Sequence, residues 1–111
     1  MLEWLIIGGG IHGTHISALL TQTKKVPNDR IRVLDPYPEP LSRWNECTEN
    51  CGMSFLRSPD VHHIDLHPFA LHYFSKSPVG KPFANFTWPY DRPSLELFQI
   101  HCKETIKKYR L

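Results

Sequence analysis

A glycine-rich turn between a mainly apolar run and a helical pattern constrains this chain more than any other feature. Gly8, Gly10 and Gly13 have the spacing G-x-G-x-x-G and directly follow the run 2–7. In such a turn the first glycine lets the backbone leave a strand sharply, the second lets a phosphate approach the main chain, and the third lets a helix lie close to the strand. The run therefore predicts a buried parallel strand, and the glycines predict an anion-binding turn after it.

The residues after the turn predict a helix over about residues 11–24. The backbone N–H groups of Ile11 and His12 at its start have no partner within a helix, so they would face the anion with the positive end of the helix dipole behind them. One stripe of this helix is predicted to face the sheet, and it consists of Ile16, Leu19, Leu20 and Thr23.

A second apolar run, 31–34, follows a turn signal at 27–29 and ends at an acidic residue, Asp35. Strand, helix and strand within 35 residues form a βαβ unit, so the two strands are predicted to be parallel. A carboxylate at the end of the second strand would accept hydrogen bonds from the ribose hydroxyls of a dinucleotide. Residues 1–35 therefore predict a dinucleotide-binding unit of the α/β class, a partial Rossmann-like fold with part of a doubly wound parallel sheet.

The middle of the chain, 36–93, has a different composition. Nine of the ten prolines lie between Pro36 and Pro93, so a long proline-rich loop region on the cofactor side is predicted, without long regular elements. A short helix is expected around 68–76, and Asp65 is the candidate cap for it.

The last segment, 94–111, predicts an amphipathic helix that begins at Asp91 or Ser94. Its apolar stripe consists of Leu95, Phe98, Cys102, Ile106 and Tyr109. A doubly wound sheet needs further strands after such a helix. We therefore expect the chain to be the amino-terminal part of a larger protein, as a fragment or a truncated reading frame.

The charge distribution argues against two classes of partner. The net charge is +2 and the basic residues are spread along the chain, so neither nucleic acid nor an anionic membrane is expected.

The amino terminus and the cysteines indicate where the chain resides. The first twenty residues lack the basic start of a signal peptide and contain four glycines, so neither targeting nor membrane insertion is expected. The three cysteines leave at least one thiol unpaired, which favours a reducing, cytoplasmic setting.

Clustered histidines and cysteines raise the question of a zinc site. The residues concerned are His62, His63, His67 and His72, with Cys47 and Cys51 upstream. Their spacings fit zinc-ligand ranges only if ligands are chosen among several histidines, and the sequence has no second close cysteine pair. We therefore expect no metal, and we expect the histidines to hydrogen-bond to loop backbone or to face a cofactor. Cys102 is expected to be a small buried apolar residue.

Several segments together resemble those of one family, namely 8–15, 33–36, 43–44, 52–53 and 56–63. The chain resembles the amino-terminal part of FAD/NAD(P)-binding flavoprotein oxidoreductases, the group that includes the lysine and ornithine N-hydroxylating monooxygenases. In that family the first glycine motif belongs to FAD and a later one to NADPH. The sequence departs from the family at Ile16 and Leu20, where the extended FAD pattern prefers small residues.

The resemblance implies a set of cofactor-binding residues. Gly8, Gly10 and Gly13 would hold the FAD pyrophosphate, and Asp35 its ribose. Arg43 and Trp44, on the loop after the second strand, would lie along the cofactor, while Met53 and Arg57 would approach the flavin. The implied activity is a monooxygenase-like, NAD(P)H-linked oxidation. The nicotinamide domain and most of the substrate pocket would lie outside these residues, so no catalytic residue is assigned and no turnover by the chain alone is expected.

Other interpretations remain open. The glycines could form only a tight turn, and Asp35 could be only a turn residue before Pro36. The chain could be a NAD(P)-binding or regulatory module without flavin, and Asp35 would then favour NAD over NADP, since a carboxylate repels a 2′-phosphate. It could also be a non-catalytic remnant that needs a companion chain to complete its sheet.

Overall fold

The computed structural model describes residues 2–88 and 91–111 and gives a mixed α/β protein. Met1 and the pair 89–90, which belong to the predicted regions 1–35 and 36–93, lie outside the described residues. The elements in chain order are β1 (Trp4–Ile7), α1 (Ile11–Gln22), β2 (Ile31–Leu34), α2 (Ser42–Asn50), α3 (Ala70–Ser75), β3 (Phe86–Thr87), β4 (Arg92–Pro93) and α4 (Leu95–Tyr109). Short 3-10 turns lie at Asn28–Arg30 and Lys81–Phe83.

Strands β1 and β2 pair in parallel, as the βαβ pattern predicts, with Ile6 opposite Val33. The prediction that β1 is buried on both faces is wrong. Ile6 is buried, but Leu5 is 57% exposed and Ile7 is 72% exposed. Because side chains alternate along a strand, α1 covers only the face that carries Ile6, and no described residue buries the face that carries Leu5 and Ile7.

Helix α1 begins where the sequence predicts, but of the stripe predicted to face the sheet only Leu20 is buried. Ile16 and Leu19 are 42% and 40% exposed, and Thr23 is the residue that ends the helix. The inward face consists of Gly13, Thr14, Ser17, Ala18 and Leu20. The close approach of α1 to the glycine turn fixes the rotation of the helix. Four of these five inward residues are therefore small.

Helix α2 lies in the region predicted to be loop. It occupies a proline-free stretch between Pro40 and Pro59, where nothing blocks the backbone hydrogen bonds of a helix. Arg43 and Trp44 therefore stand on a helix rather than on a loop, which corrects the prediction. Leu41, the N-cap residue of this helix, is buried and lies in the left-handed region with φ of 67°.

Helix α3 is shorter than the predicted segment 68–76, and Asp65 is not its cap. No side chain caps α3, and Phe69 stands at its N-cap position. The Asp65 carboxylate instead accepts hydrogen bonds from the Tyr109 hydroxyl, at 2.7 Å, and from the Leu66 N–H, at 2.7 Å. The prediction failed because a side chain on α4, distant in sequence, provides the partner of Asp65.

Helix α4 forms the centre of the core. Ser94 rather than Asp91 begins it, since the Ser94 Oγ accepts a hydrogen bond from the Leu97 N–H at 3.1 Å. Phe98 and Cys102 of the predicted stripe are buried as expected. The core cluster consists of Leu41, Leu56, Ile64, Leu71, Leu97, Phe98 and Cys102. The loop 53–68 is therefore held against α4 and beside the start of α1.

Among the described residues, no helix combines the length and the apolarity needed to cross a membrane.

Candidate functional site

The glycine turn has the geometry that its sequence predicts. Gly8 has φ of +102°, a conformation that side chains disfavour. A Cβ at Gly13 would lie 1.9 Å from the Gly8 carbonyl oxygen, so α1 approaches the turn too closely for any other residue. A Cβ at Gly10 would have no atom within 4 Å. The first and third glycines thus serve the fold, whereas the second leaves open space beside the backbone.

The start of α1 is free to bind an anion. Gly10 is its N-cap residue, no side chain caps it, and no acidic residue lies in its first turn. The N–H groups of Ile11 and His12 have no partner within the helix, and the positive end of the helix dipole coincides with them. This combination favours a phosphate or another oxyanion at the turn.

Asp35 connects the end of β2 to the glycine turn. Its Oδ2 accepts a hydrogen bond from the Gly9 N–H at 2.6 Å, and its Oδ1 accepts one from the Tyr37 N–H at 2.8 Å. These two donors, Gly9 first, hold the pKa of Asp35 below its ordinary value. The carboxylate is therefore ionised at neutral pH. A carboxylate can accept about four hydrogen bonds, so capacity remains for hydroxyl donors.

Replacing Asp35 by Asn tests this connection. Asn has a single acceptor oxygen, so its amide group would face either the Gly9 or the Tyr37 N–H with a donor. We expect faster hydrogen exchange of the Gly9 and Tyr37 amides in Asp35→Asn, measured by NMR. The matched control is Asp29→Asn, an exposed acidic residue, for which both rates should stay as in the wild type. Unchanged rates in Asp35→Asn would mean that the carboxylate does not hold the turn.

A cavity of about 930 Å³ opens at the start of α1. It brings together five of the residues that the sequence predicts for the site: Ile11, His12, Trp44, Met53 and Arg57. Its apolar lining is part of the core, because Trp44 packs on Phe98 with ring centroids 5.0 Å apart. The volume lies at the upper end of the range for ligand pockets, which is roughly 300–1,000 Å³.

A second, smaller cavity lies on the other side of the turn, beside Asp35. It measures about 210 Å³ and is also lined by Gly9, Thr14 and Tyr37. The carboxylate of Asp35 is thus next to open space, although two of its acceptor positions are used within the chain.

Arg43, like Gly8, Gly10 and Gly13, is a predicted residue that lines neither cavity. Its guanidinium donates a hydrogen bond to the Tyr37 hydroxyl at 3.1 Å, and its side chain is exposed. The Tyr37 hydroxyl, followed by the Cys47 thiol, raises the pKa of Arg43. Arg43 and Trp44 therefore point in different directions from α2, which adjacent helix positions do.

Sequence reasoning missed two residues that shape the site. His15 lines the larger cavity, and its Nδ1 lies 2.8 Å from the Ile64 carbonyl oxygen. Its position one turn after Ile11 could have revealed this. The Leu41 N–H donates to the Gly9 carbonyl at 2.7 Å and draws the segment 36–41 onto the turn, a contact for which the sequence carries no local signal.

Two of the four clustered histidines bind backbone atoms, as expected, whereas His72 Nδ1 lies 3.4 Å from Asp60 Oδ2. His63 Nε2 lies 2.9 Å from the Pro68 carbonyl oxygen, and His67 Nδ1 accepts the Phe69 N–H at 3.1 Å. Within residues 2–88 and 91–111, no group of three or more His, Cys, Asp or Glu side chains is arranged to hold a metal ion.

A buried polar network lies behind the cavity wall. His101 on α4 is 3% exposed, its ring contacts that of His63 edge to face at 5.4 Å, and its Nε2 lies 3.8 Å from Asp65 Oδ2. Burial, followed by the charge of His63, lowers the pKa of His101 to about 4 despite the nearby carboxylate. Burial alone would raise the pKa of Asp65, but Tyr109, Leu66, Lys108 and His101 together hold it below its ordinary value.

Comparisons of the chain with protein-family models, curated proteins and solved structures find no match. The glycine turn and its two cavities are therefore the features of this chain that bear on its function.

Proposed function

We propose that this chain is the FAD-binding amino-terminal portion of an NAD(P)H-linked, monooxygenase-like flavoprotein oxidoreductase with a partial Rossmann-like fold. The observation that carries the proposal is the glycine turn. Three features meet at this turn. They are the uncapped start of α1, the position of Gly10, where a side chain would enter open space, and the carboxylate of Asp35 after the adjacent parallel strand. Each of these features has a function in dinucleotide binding and little purpose in a simple turn.

The donors and cavities suit the parts of FAD. The N–H groups at Ile11 and His12 would hold the pyrophosphate, and the backbone at Gly10 would let it approach. The remaining acceptor positions of Asp35 would bind the ribose hydroxyls. The larger cavity, with its apolar lining by Trp44 and Met53, would receive the flavin ring and exclude water from it.

The chemistry would be that of the cofactor, which transfers electrons from NAD(P)H to oxygen or another acceptor. The residues of this chain would bind and orient it. Arg57, which is exposed at the cavity, would contribute positive charge near an anionic group. No proton-transfer function is assigned to the histidines of the cavity.

The proposal is tested by FAD binding to the wild type and to Gly10→Ala. Gly10 has φ of −81° and free space for a Cβ, so alanine preserves the fold but occupies the approach of the phosphate. We expect retained flavin absorbance and a thermal shift with FAD for the wild type. For Gly10→Ala we expect affinity to fall on the order of 10-fold or more, since each 1.4 kcal/mol of lost contact is tenfold.

The matched control is Ile16→Ala, a change of an exposed residue on the same helix, which should bind FAD as the wild type does. No shift with saturating FAD, or equal affinity of the wild type and Gly10→Ala, would refute the proposal. NAD that competes with FAD at lower concentration would instead identify an NAD-binding module without flavin.

A further inference from the structure

Two exposed thiols lie one helical turn apart at the end of α2, where Cys51 is the C-cap residue, and both lie outside the two cavities. Cys47 and Cys51 are free and exposed. The Cys51 N–H donates to the Cys47 carbonyl oxygen at 3.1 Å, so the backbone between them is a closed helical turn. Side chains at this spacing lie on the same face of a helix, with Cβ atoms about 5–6 Å apart. The two sulfur atoms therefore emerge together from one surface.

The distance between the two Cβ atoms is too long for a disulfide but suits an ion that bridges the two sulfurs. A disulfide requires Cβ atoms about 3.5–4.5 Å apart, so forming one would break the hydrogen bond that closes the turn. Two sulfur–metal bonds of about 2.3 Å each can span roughly 4–5 Å between sulfurs. An ion can thus bind both thiolates while the turn keeps its hydrogen bond.

We propose that Cys47 and Cys51 form a two-thiolate site for a soft, low-coordinate cation, Cu(I). Thiolate ligands select soft ions such as Cu(I). Zn²⁺ requires four ligands in a structural site, and among the described residues no third His, Cys, Asp or Glu completes such a group around these thiols. The two thiolates of one helical turn suit Cu(I), because this ion can be stable with only two ligands.

Arg43 supplies the charge that such a site needs. It stands one turn before Cys47 on the same helix, and residues at this spacing are neighbours on a helix surface. Its hydrogen bond to the Tyr37 hydroxyl, at 3.1 Å, holds it there. Two thiolates and one Cu(I) leave a net charge of −1, and a neighbouring guanidinium stabilises this complex.

The third cysteine of the chain provides an internal reference. Cys102 is 4% exposed in the core, and burial raises the pKa of its thiol to about 12. A thiol in this environment stays protonated and inaccessible, so it neither binds the ion nor competes for it.

The test is anaerobic titration of Cu(I) into the fully reduced protein, in competition with the chelator bicinchoninate. We expect one Cu(I) per monomer and an unchanged far-ultraviolet helical signal. Cys47→Ser and Cys51→Ser should each lower affinity on the order of 100-fold, because the second thiolate then no longer binds within the same molecule. Cys102→Ala, the matched control, should bind as the wild type does.

Three results would overturn the proposal: unchanged affinity in Cys47→Ser or Cys51→Ser, one copper shared between two chains, or loss of helical signal on copper binding. None of them bears on FAD, because the cysteine pair lines neither cavity beside the glycine turn.

Discussion

Gly13→Ala is expected to lower the free energy of unfolding by about 3 kcal/mol or more, the upper range for overpacking a close contact. The added Cβ would lie 1.9 Å from the Gly8 carbonyl oxygen and 3.1 Å from its carbonyl carbon. Both are backbone atoms, so no side chain can rotate away to relieve the clash. Either α1 moves off the turn or the turn opens, and each change disrupts the packing of α1 on β1.

The measurement is denaturant unfolding followed by circular dichroism, with Gly10→Ala as the matched control. At Gly10 the φ of −81° suits alanine and no atom lies within 4 Å of the new Cβ. Gly10→Ala should therefore lower the free energy of unfolding by less than about 1 kcal/mol, the scale of an N-cap substitution. If both variants unfold at the same denaturant concentration, the close contact between α1 and the glycine turn does not exist in solution.

The parts of the fold that the sequence predicts are those fixed by local pattern. The paired strands, the start of α1 and the stripe of α4 follow from apolar periodicity, and Ser94 begins α4 through its own side chain. The glycine turn belongs to the same group, because the conformation of Gly8 and the close contact of Gly13 arise within six residues of sequence.

The parts that escaped prediction depend on contacts between distant segments. The rotation of α1 is set by the backbone contact at Gly13, not by the apolar residues Ile16 and Leu19. The loop that walls the larger cavity is held by the Leu56 N–H, which donates to the Pro93 carbonyl at 2.9 Å. No periodicity encodes such a pairing, so the sequence indicated Trp44, Met53 and Arg57 of the cavity only through resemblance.

Stability is expected to fall as the pH drops from 6.5 towards 4, because His101 is buried in its neutral form. In the folded chain burial lowers the pKa of His101 to about 4, from an ordinary value of 6.5. The unfolded chain therefore binds a proton through this window that the folded chain does not, and the equilibrium shifts to the unfolded state. At about 1.4 kcal/mol per pKa unit, the loss is about 3 kcal/mol at pH 4.

The groups that face His101 determine how this prediction is tested. Burial, His63 and Lys108 all oppose its protonation, and together they outweigh Asp65, which favours it. Asp65 has a pKa below its ordinary value of 3.8. The stability that its ionised carboxylate contributes is therefore lost only at more acidic pH.

The measurement is denaturant unfolding at several pH values. His101→Leu should flatten the pH dependence of the free energy of unfolding between pH 6.5 and 4, whatever the absolute stability of the variant. The exposed-site control His62→Leu should keep the wild-type slope. A wild-type slope in His101→Leu would assign the acid sensitivity to another group and would mean that His101 is not buried neutral behind the cavity wall.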